Sequence, residues 1–278
     1  MLESLVTLIL LAQTAGVSDP EAIRIFAAAI KTQTPDAKKP ELTSYGATFL
    51  VTIWEKDAQG RSREREGKIE QRWQKQAKRN RYRRLLSPTV GDEKPSTMGC
   101  DGQRYWRQRP GERSQDLQGD PTFRKDLDNL KEEIRRTDEL MSLFFLANLL
   151  TEHAVLQLGN KDVVIKPNRN QRRQKYLVDE VVLKRPGKRT LTFRIGKQDA
   201  RVYEIHLAAL KKGDPVETFA FFFHLPLKDK ALGRVLLPTS VTYLKNGKRV
   251  MHANKPTGAI EEHVHLNPKL RRKDFRPE

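Results

Sequence analysis

One stretch, from Ser44 to Trp106, limits what this chain can fold into more than any other. It opens Ser44-Tyr45-Gly46-Ala47-Thr48-Phe49-Leu50-Val51-Thr52-Ile53-Trp54. Side chains alternate along a strand, so Ala47, Phe49, Val51 and Ile53 share one face, and Thr48, Leu50, Thr52 and Trp54 share the other. Asp57-Ala58-Gln59-Gly60 supplies turn residues, with Gly60 free to adopt a positive φ. A second strand is predicted through Ile69 and Trp73 and a third through Arg79-Asn80-Arg81-Tyr82-Arg83. Cys100-Asp101-Gly102-Gln103-Arg104-Tyr105-Trp106 reads as a tight turn entering an aromatic strand. Together these form an antiparallel meander, the founding half of one large sheet.

The remaining elements are read against that meander. Ser18-Asp19-Pro20-Glu21 opens a helix, with Ser18 as cap and Glu21 completing a capping box. Ile23, Phe26, Ala27 and Ile30 give it an apolar stripe. Residues 121–150 read as a helical insert: Phe123, Leu127, Leu130 and Ile134 keep a helical period, which Leu140 to Leu150 resumes after a break near Thr137-Asp138. The second piece is apolar nearly all round, so burial against the sheet is expected; a membrane-active hairpin is the alternative, and the run is short for one. Strands are predicted again at 162–166, 176–184, 190–195, 200–207, 216–225, 234–244, 249–253 and 259–266. Asn246-Gly247, between two alternating runs, is the strongest hairpin signal. Phe219, Phe221 and Phe223 are placed on one face, with Ala220, Phe222 and His224 on the other. The fold class is therefore α+β with a mainly antiparallel sheet, and a curved sheet closing partly around its helices would use both faces.

Charge bounds the partners. The formal net charge is +18 and the pI about 10, which favours acidic partners such as nucleic acid, anionic lipid, acidic polysaccharide or acidic protein. From Glu55 to Arg84 there are twelve Lys/Arg against five acidic residues. A second basic cluster, Lys166 to Lys175, includes Arg169, Arg172 and Arg173. With Trp73, Tyr82 and Trp106 interleaved, a single-strand nucleic-acid groove is the alternative function. No nucleic-acid motif accompanies the charge, and a solvated sheet face accounts for it better. Cys100 is the one cysteine, so an intrachain disulfide is excluded. Leu5 to Ala12 reads as the apolar core of a secretory signal, with Ala15-Gly16 as its cleavage point, although Glu3 stands where basic residues are usual. A buried N-terminal helix is the other reading.

Catalytic signatures are sparse. His263-Val264-His265, behind Glu261 and Glu262, could present two imidazoles on one strand face, with His252 and His224 unplaced, but zinc needs further ligands at fixed spacing. Cys100 beside Asp101 lacks a marked base. No phosphate loop, dinucleotide turn, serine elbow or paired-carboxylate pattern is present. These observations lean away from an enzyme and assign neither metal nor cofactor.

Several pieces in succession resemble the bacterial lipoprotein carriers of the LolA/LolB-like family. Gly67-Lys68-Ile69-Glu70-Gln71-Arg72-Trp73, followed by the basic strand Arg79 to Arg83, is similar to that family's second and third strands. Asp101-Gly102-Gln103-Arg104-Tyr105-Trp106, ending at Pro110, is similar to its Asp-Gly-x-x-x-Trp hairpin. Leu236-Leu237-Pro238-Thr239-Ser240-Val241 with Asn246-Gly247, and Asn267-Pro268 through Phe275-Arg276-Pro277, resemble later strands and the close of related envelope proteins. The resemblance implies one unclosed, strongly curved half-barrel domain over residues 17–278, with helices packed on its concave side, behind a signal peptide at 1–16 and exported to the periplasm or cell envelope. It implies a non-enzymatic protein binding a lipid or lipoprotein acyl chain in an apolar cavity under a helical lid, in lipoprotein sorting, with an anionic membrane surface or acidic protein as a further partner. Burial of a few hundred Å² at about 25 cal/mol per Å² would supply useful affinity. Phe49, Val51, Ile53, Trp73, Trp106, Phe221 and Phe223 are the expected cavity wall. In the family an arginine on the second strand helps hold the lid; Arg72 is the nearest counterpart, one residue out of step.

Overall fold

The computed structural model describes residues 18–35, 42–56, 60–77, 79–89, 94–143, 145–151, 153–166, 175–229 and 232–277. The Leu5–Ala12 run, the Asp57–Gln59 turn and Arg169, Arg172 and Arg173 lie outside them. The class is α+β: antiparallel, unclosed sheet with two α-helices among the described residues. The chain forms two compact units, the described parts of Met1–Pro40 with Phe145–His252, and of Glu41–Phe144 with Ala253–Glu278.

In the first unit, helix α1 (Pro20–Gln33) lies on a sheet. Asp19, not Ser18, caps it: Asp19 Oδ1 accepts from the amides of Glu21 and Ala22 at 2.8 and 3.3 Å. Ser18 Oγ instead accepts from the Leu156 amide at 3.2 Å. Both residues are good caps; Ser18 is drawn off because the strand Val155–Leu158 supplies an amide beside it. Ala22, Ile23, Phe26, Ala29 and Ile30 are buried, each of the larger ones contributing about 1.5–3 kcal/mol.

The strands of this unit are β7 (Val155–Leu158), β8 (Val163–Ile165), β9 (Tyr176–Lys184), β10 (Leu191–Gly196), β11 (Val202–Leu207), β12 (Glu217–Asp229), β13 (Gly233–Lys245) and β14 (Lys248–Asn254), whose last two residues belong to the second unit. Their order is β14-β13-β12-β11-β10-β9-β7, with β8 also on β9. The register sets Val181, Phe193, Ile205, Phe219 and Tyr243 side by side on one face. Phe26 meets Phe193 edge-on at 5.1 Å, so this is the face α1 covers. Asn246 and Gly247, at φ +50° and +74°, make the β13–β14 turn the Asn-Gly pair predicts. Phe219 and Phe221 share a face, stacked at 6.4 Å. Phe223 breaks the alternation: its φ is +55° and it is 48% exposed.

The second unit holds β1 (Ser44–Lys56), β2 (Ser62–Gln74), β3 (Arg81–Pro88), β4 (Ser96–Cys100), β5 (Tyr105–Gln108), β6 (Gln115–Asp116), β15 (Val264–Leu266) and helix α2 (Arg124–Leu143). The order is β6-β5-β4-β3-β2-β1, with β15 on β1. One cross-strand row runs Tyr45, Trp73, Tyr82, Cys100, Tyr105, and the next Ala47, Gln71, Arg84, Met98, Arg107. Helix α2 is continuous; the expected break at Thr137-Asp138 does not occur. Those two polar residues point at the sheet and hydrogen-bond to it, so they serve packing and not termination. Among the described residues, no helix is long and apolar enough to cross a membrane.

Candidate ligand site

The site is built on the two faces of β1–β5. Strand alternation puts Tyr45, Ala47, Phe49, Val51 and Ile53 on one face with Trp73, Gln71 and Ile69 of β2 and Tyr82, Arg84 and Leu86 of β3. Helix α2 covers the Trp73 end of this face, and polar groups hold it there. Tyr82 donates to Glu133 Oε1 at 2.6 Å, and Arg84 reaches Glu133 Oε2 at 3.1 Å. Trp73 Nε1 and Asn80 Nδ2 donate to Asp138 Oδ1 at 2.6 and 2.8 Å. Gln71 Nε2 donates to Thr137 Oγ1 at 3.0 Å, and Arg107 pairs with Asp126. Burial, then the Glu133 carboxylate, pushes the Tyr82 hydroxyl well above its ordinary range, so it stays a donor.

Further along the same face the chemistry changes. Val51, Ile69, Leu86 and Ala253 form a buried apolar cluster, against which half-buried Phe49 and Ile53 pack. The face therefore carries a polar latch under α2 and an apolar strip beside it.

The opposite face carries Arg72, Arg83, Gly99 and Trp106. The C-terminal segment covers Trp106, whose Nε1 donates to the Phe275 carbonyl at 3.0 Å. Phe275 is fully buried. A Cβ on Gly99 would stand 2.7 Å from the Trp106 ring, so glycine is what admits the indole there. Asn267, at φ +47°, accepts the Thr43 amide at 2.7 Å and anchors the start of the segment.

The seven expected wall residues are thus distributed. Phe49, Val51, Ile53 and Trp73 share the α2 face; Trp106 lies on the other face of that sheet; Phe221 and Phe223 belong to the first unit. Arg72 faces away from α2 and lies 3.8 Å from Asp274. The arginines that reach α2 are Arg84 and Arg107, which sequence reasoning missed. The signal was present: both fall two residues from buried aromatics, Tyr82 and Tyr105, and so share the buried face.

The histidines are partnered separately. His224 Nε2 lies 3.1 Å from the Val202 carbonyl, His252 Nδ1 2.8 Å from Thr242 Oγ1, and His263 Nε2 2.6 Å from the Thr257 carbonyl. Among the described residues no three His, Cys, Asp or Glu side chains converge as a metal site. Burial pushes the Cys100 thiol up, away from nucleophilic character.

No known family profile matches this sequence, and no curated protein does. Over most of its length the chain does match solved structures of LolA-superfamily and lipoprotein-sorting proteins. A domain described as an outer membrane lipoprotein-sorting protein from Vibrio parahaemolyticus is 12% identical, with 92% of this chain and 94% of that one covered and a TM-score of 0.38. A LolA superfamily protein from Nitrosomonas europaea is 13% identical over 94% and 99%, at a TM-score of 0.39. A DUF1329 family protein from Desulfovibrio piger is 12% identical over 93% and 98%, at 0.43. At these scores the fold assignment rests on the chain's own strand order and register.

Proposed function

We propose that the protein is a non-enzymatic binder of acyl chains, taking the chain of a lipid or lipoprotein on the α2-covered face of β1–β3. The observation that carries this reading is the adjacency of two chemistries on one sheet face: the strip Phe49, Val51, Ile53, Ile69, Leu86, and a helix held beside it by hydrogen bonds and ion pairs. The polar part of that docking can be exchanged for water at modest cost, because each of those groups is solvated when released. The apolar strip, buried here, recovers nothing from water when it is uncovered, and an acyl chain is the ligand that would replace what now buries it. Trp73 joins strip to latch, its ring buried and its Nε1 on Asp138. Export to the periplasm or cell envelope belongs to the same reading, on the strength of the Leu5–Ala12 run, as does lipoprotein sorting.

The test is displacement of a fluorescent fatty acid from the purified protein, with mass spectrometry of co-purifying lipid. Stoichiometric binding, insensitive to salt and reduced roughly tenfold or more by Ile53→Asp, is expected, since a buried carboxylate is strongly disfavoured. Absence of acyl-chain binding, together with tight RNA or DNA binding that falls steeply with salt, would replace this reading with the nucleic-acid one.

A further inference from the structure

The second unit contains a cleft of about 530 Å³ on the face away from α2, lined by Asp101, Gln103, Arg104, Trp106, Ser114, Asp116, Arg272, Arg276 and Pro277. We propose that this cleft binds an organic phosphate, with Arg104, Arg272 and Arg276 as the phosphate ligands. It involves none of the apolar strip and stands or falls apart from the acyl-chain reading.

Charge accounting within the cleft carries the argument. Of its two carboxylates, Asp101 is engaged: Oδ1 accepts the amides of Gln103 and Arg104 at 2.9 and 3.0 Å, and Oδ2 lies 3.3 Å from Arg272 Nη2. Asp116 Oδ1 accepts the Gln118 amide at 2.8 Å. Arg104 and Arg276 are exposed and make no ion pair among the described residues, and three arginines against two carboxylates leave the lining one positive charge in excess. Arg272 donates to Gln103 Oε1 at 2.5 Å and pairs with Asp101, which fixes its guanidinium at the cleft wall.

The rest of the lining fits an organic phosphate better than a bare ion. Guanidinium forks match phosphate oxygens two at a time. The volume exceeds that of a lone anion and falls among small-ligand sites. Trp106 and Pro277 give an apolar wall for the esterified group, and Ser114 a hydroxyl. The frame is set in advance: Trp106 holds the Phe275 carbonyl, and Asp274 Oδ2 accepts the Arg271 amide at 2.6 Å. A soluble phosphate ester and a phospholipid headgroup present the same chemistry.

Calorimetry of the full chain with glycerol 3-phosphate and with inorganic phosphate, beside flotation with phosphatidylglycerol and phosphatidylcholine vesicles, distinguishes these sources. The control is R104Q/R276Q, at exposed positions whose loss leaves no buried group unpaired. Glycerol 3-phosphate binding weakened at least about tenfold in the double variant is the expected result for a soluble ester. Phosphatidylglycerol binding lost in the variant, without binding of the soluble ester, supports the headgroup. Equal binding by both proteins would mean that the overall positive charge acts and not the cleft, and overturns the proposal. Binding of inorganic phosphate alone, or of nothing, overturns it too.

Discussion

The two helices sit on their sheets by different mixtures of contact. Helix α1 presents Ala22, Ile23, Phe26, Ala29 and Ile30, and meets Phe193 ring to ring. Helix α2 buries Leu130, Ile134, Met141 and Leu143 and adds polar contacts with its sheet, from Glu133, Asp126, Thr137 and Asp138 to Tyr82, Arg84, Arg107, Trp73, Gln71 and Asn80. An apolar interface loses its full transfer free energy when opened, whereas polar groups recover most of theirs from water. The lesson is that two helix-on-sheet units can differ greatly in how readily the helix leaves. The difference lies in the residues of β2 and β3 as much as in the helices.

The comparison breaks most directly at Phe26. Phe26→Ala removes a fully buried ring from α1 and should cost about 3–5 kcal/mol, read as a lower urea midpoint. Backbone amide exchange should rise across α1 and β9–β13 and stay unchanged in α2. Equal loosening of α2 would erase the distinction between the two interfaces.

Acid sharpens it next. His224 is half-buried, edge-on to Tyr203, and loss of solvent around its ring is the main reason its pKa falls to about 4. Arg201 opposes its protonation further. Because the folded value lies below the unfolded one for a base, the unfolded chain takes up the proton first. Stability therefore declines as pH falls from about 6.5 toward about 4, by roughly 3 kcal/mol in total. His224→Phe should flatten that decline in the first unit; an unchanged profile would assign it elsewhere.

Glu133→Ala tests the latch. It strands the buried Tyr82 hydroxyl and largely buried Arg84 and should cost about 1–3 kcal/mol. The gain in amide exchange should be concentrated in α2. Raising salt to about 1 M, where the Debye length is about 3 Å, should favour exchange in α2 and leave α1 unchanged. Parallel behaviour of the two helices would contradict the contrast. At the small end, Lys161→Ala removes an exposed pair with Glu21 on α1 and should barely move the urea midpoint. A larger shift would mean that charge also holds α1.

Much of this plan was legible in residue order. Alternation over Ala47 to Ile53 named both the strand and its buried face, and Asn246-Gly247 named a hairpin, because both signals depend on nearest-neighbour geometry. The short strands β4 and β7 were not foreseen. Gly99 lowers the strand propensity of β4, and its reason is an indole from the neighbouring strand. Thr137-Asp138 looked like a helix break because nothing local reveals that Trp73 and Gln71 wait opposite. Trp73 and Trp106 were grouped for their chemistry, yet their registers place them on opposite faces, and a face is set by pairing summed across strands.

By itself the sequence determined the class of fold, the antiparallel meanders and the apolar face of β1, since these follow from side-chain periodicity and turn residues within a few positions. Only the tertiary structure decided that Arg84 and Arg107, and not Arg72, meet carboxylates of α2, and that Arg104 shares a cleft with Arg272 and Arg276. Those are meetings between residues up to about 170 positions apart, and no local pattern encodes which partner a charged side chain will find.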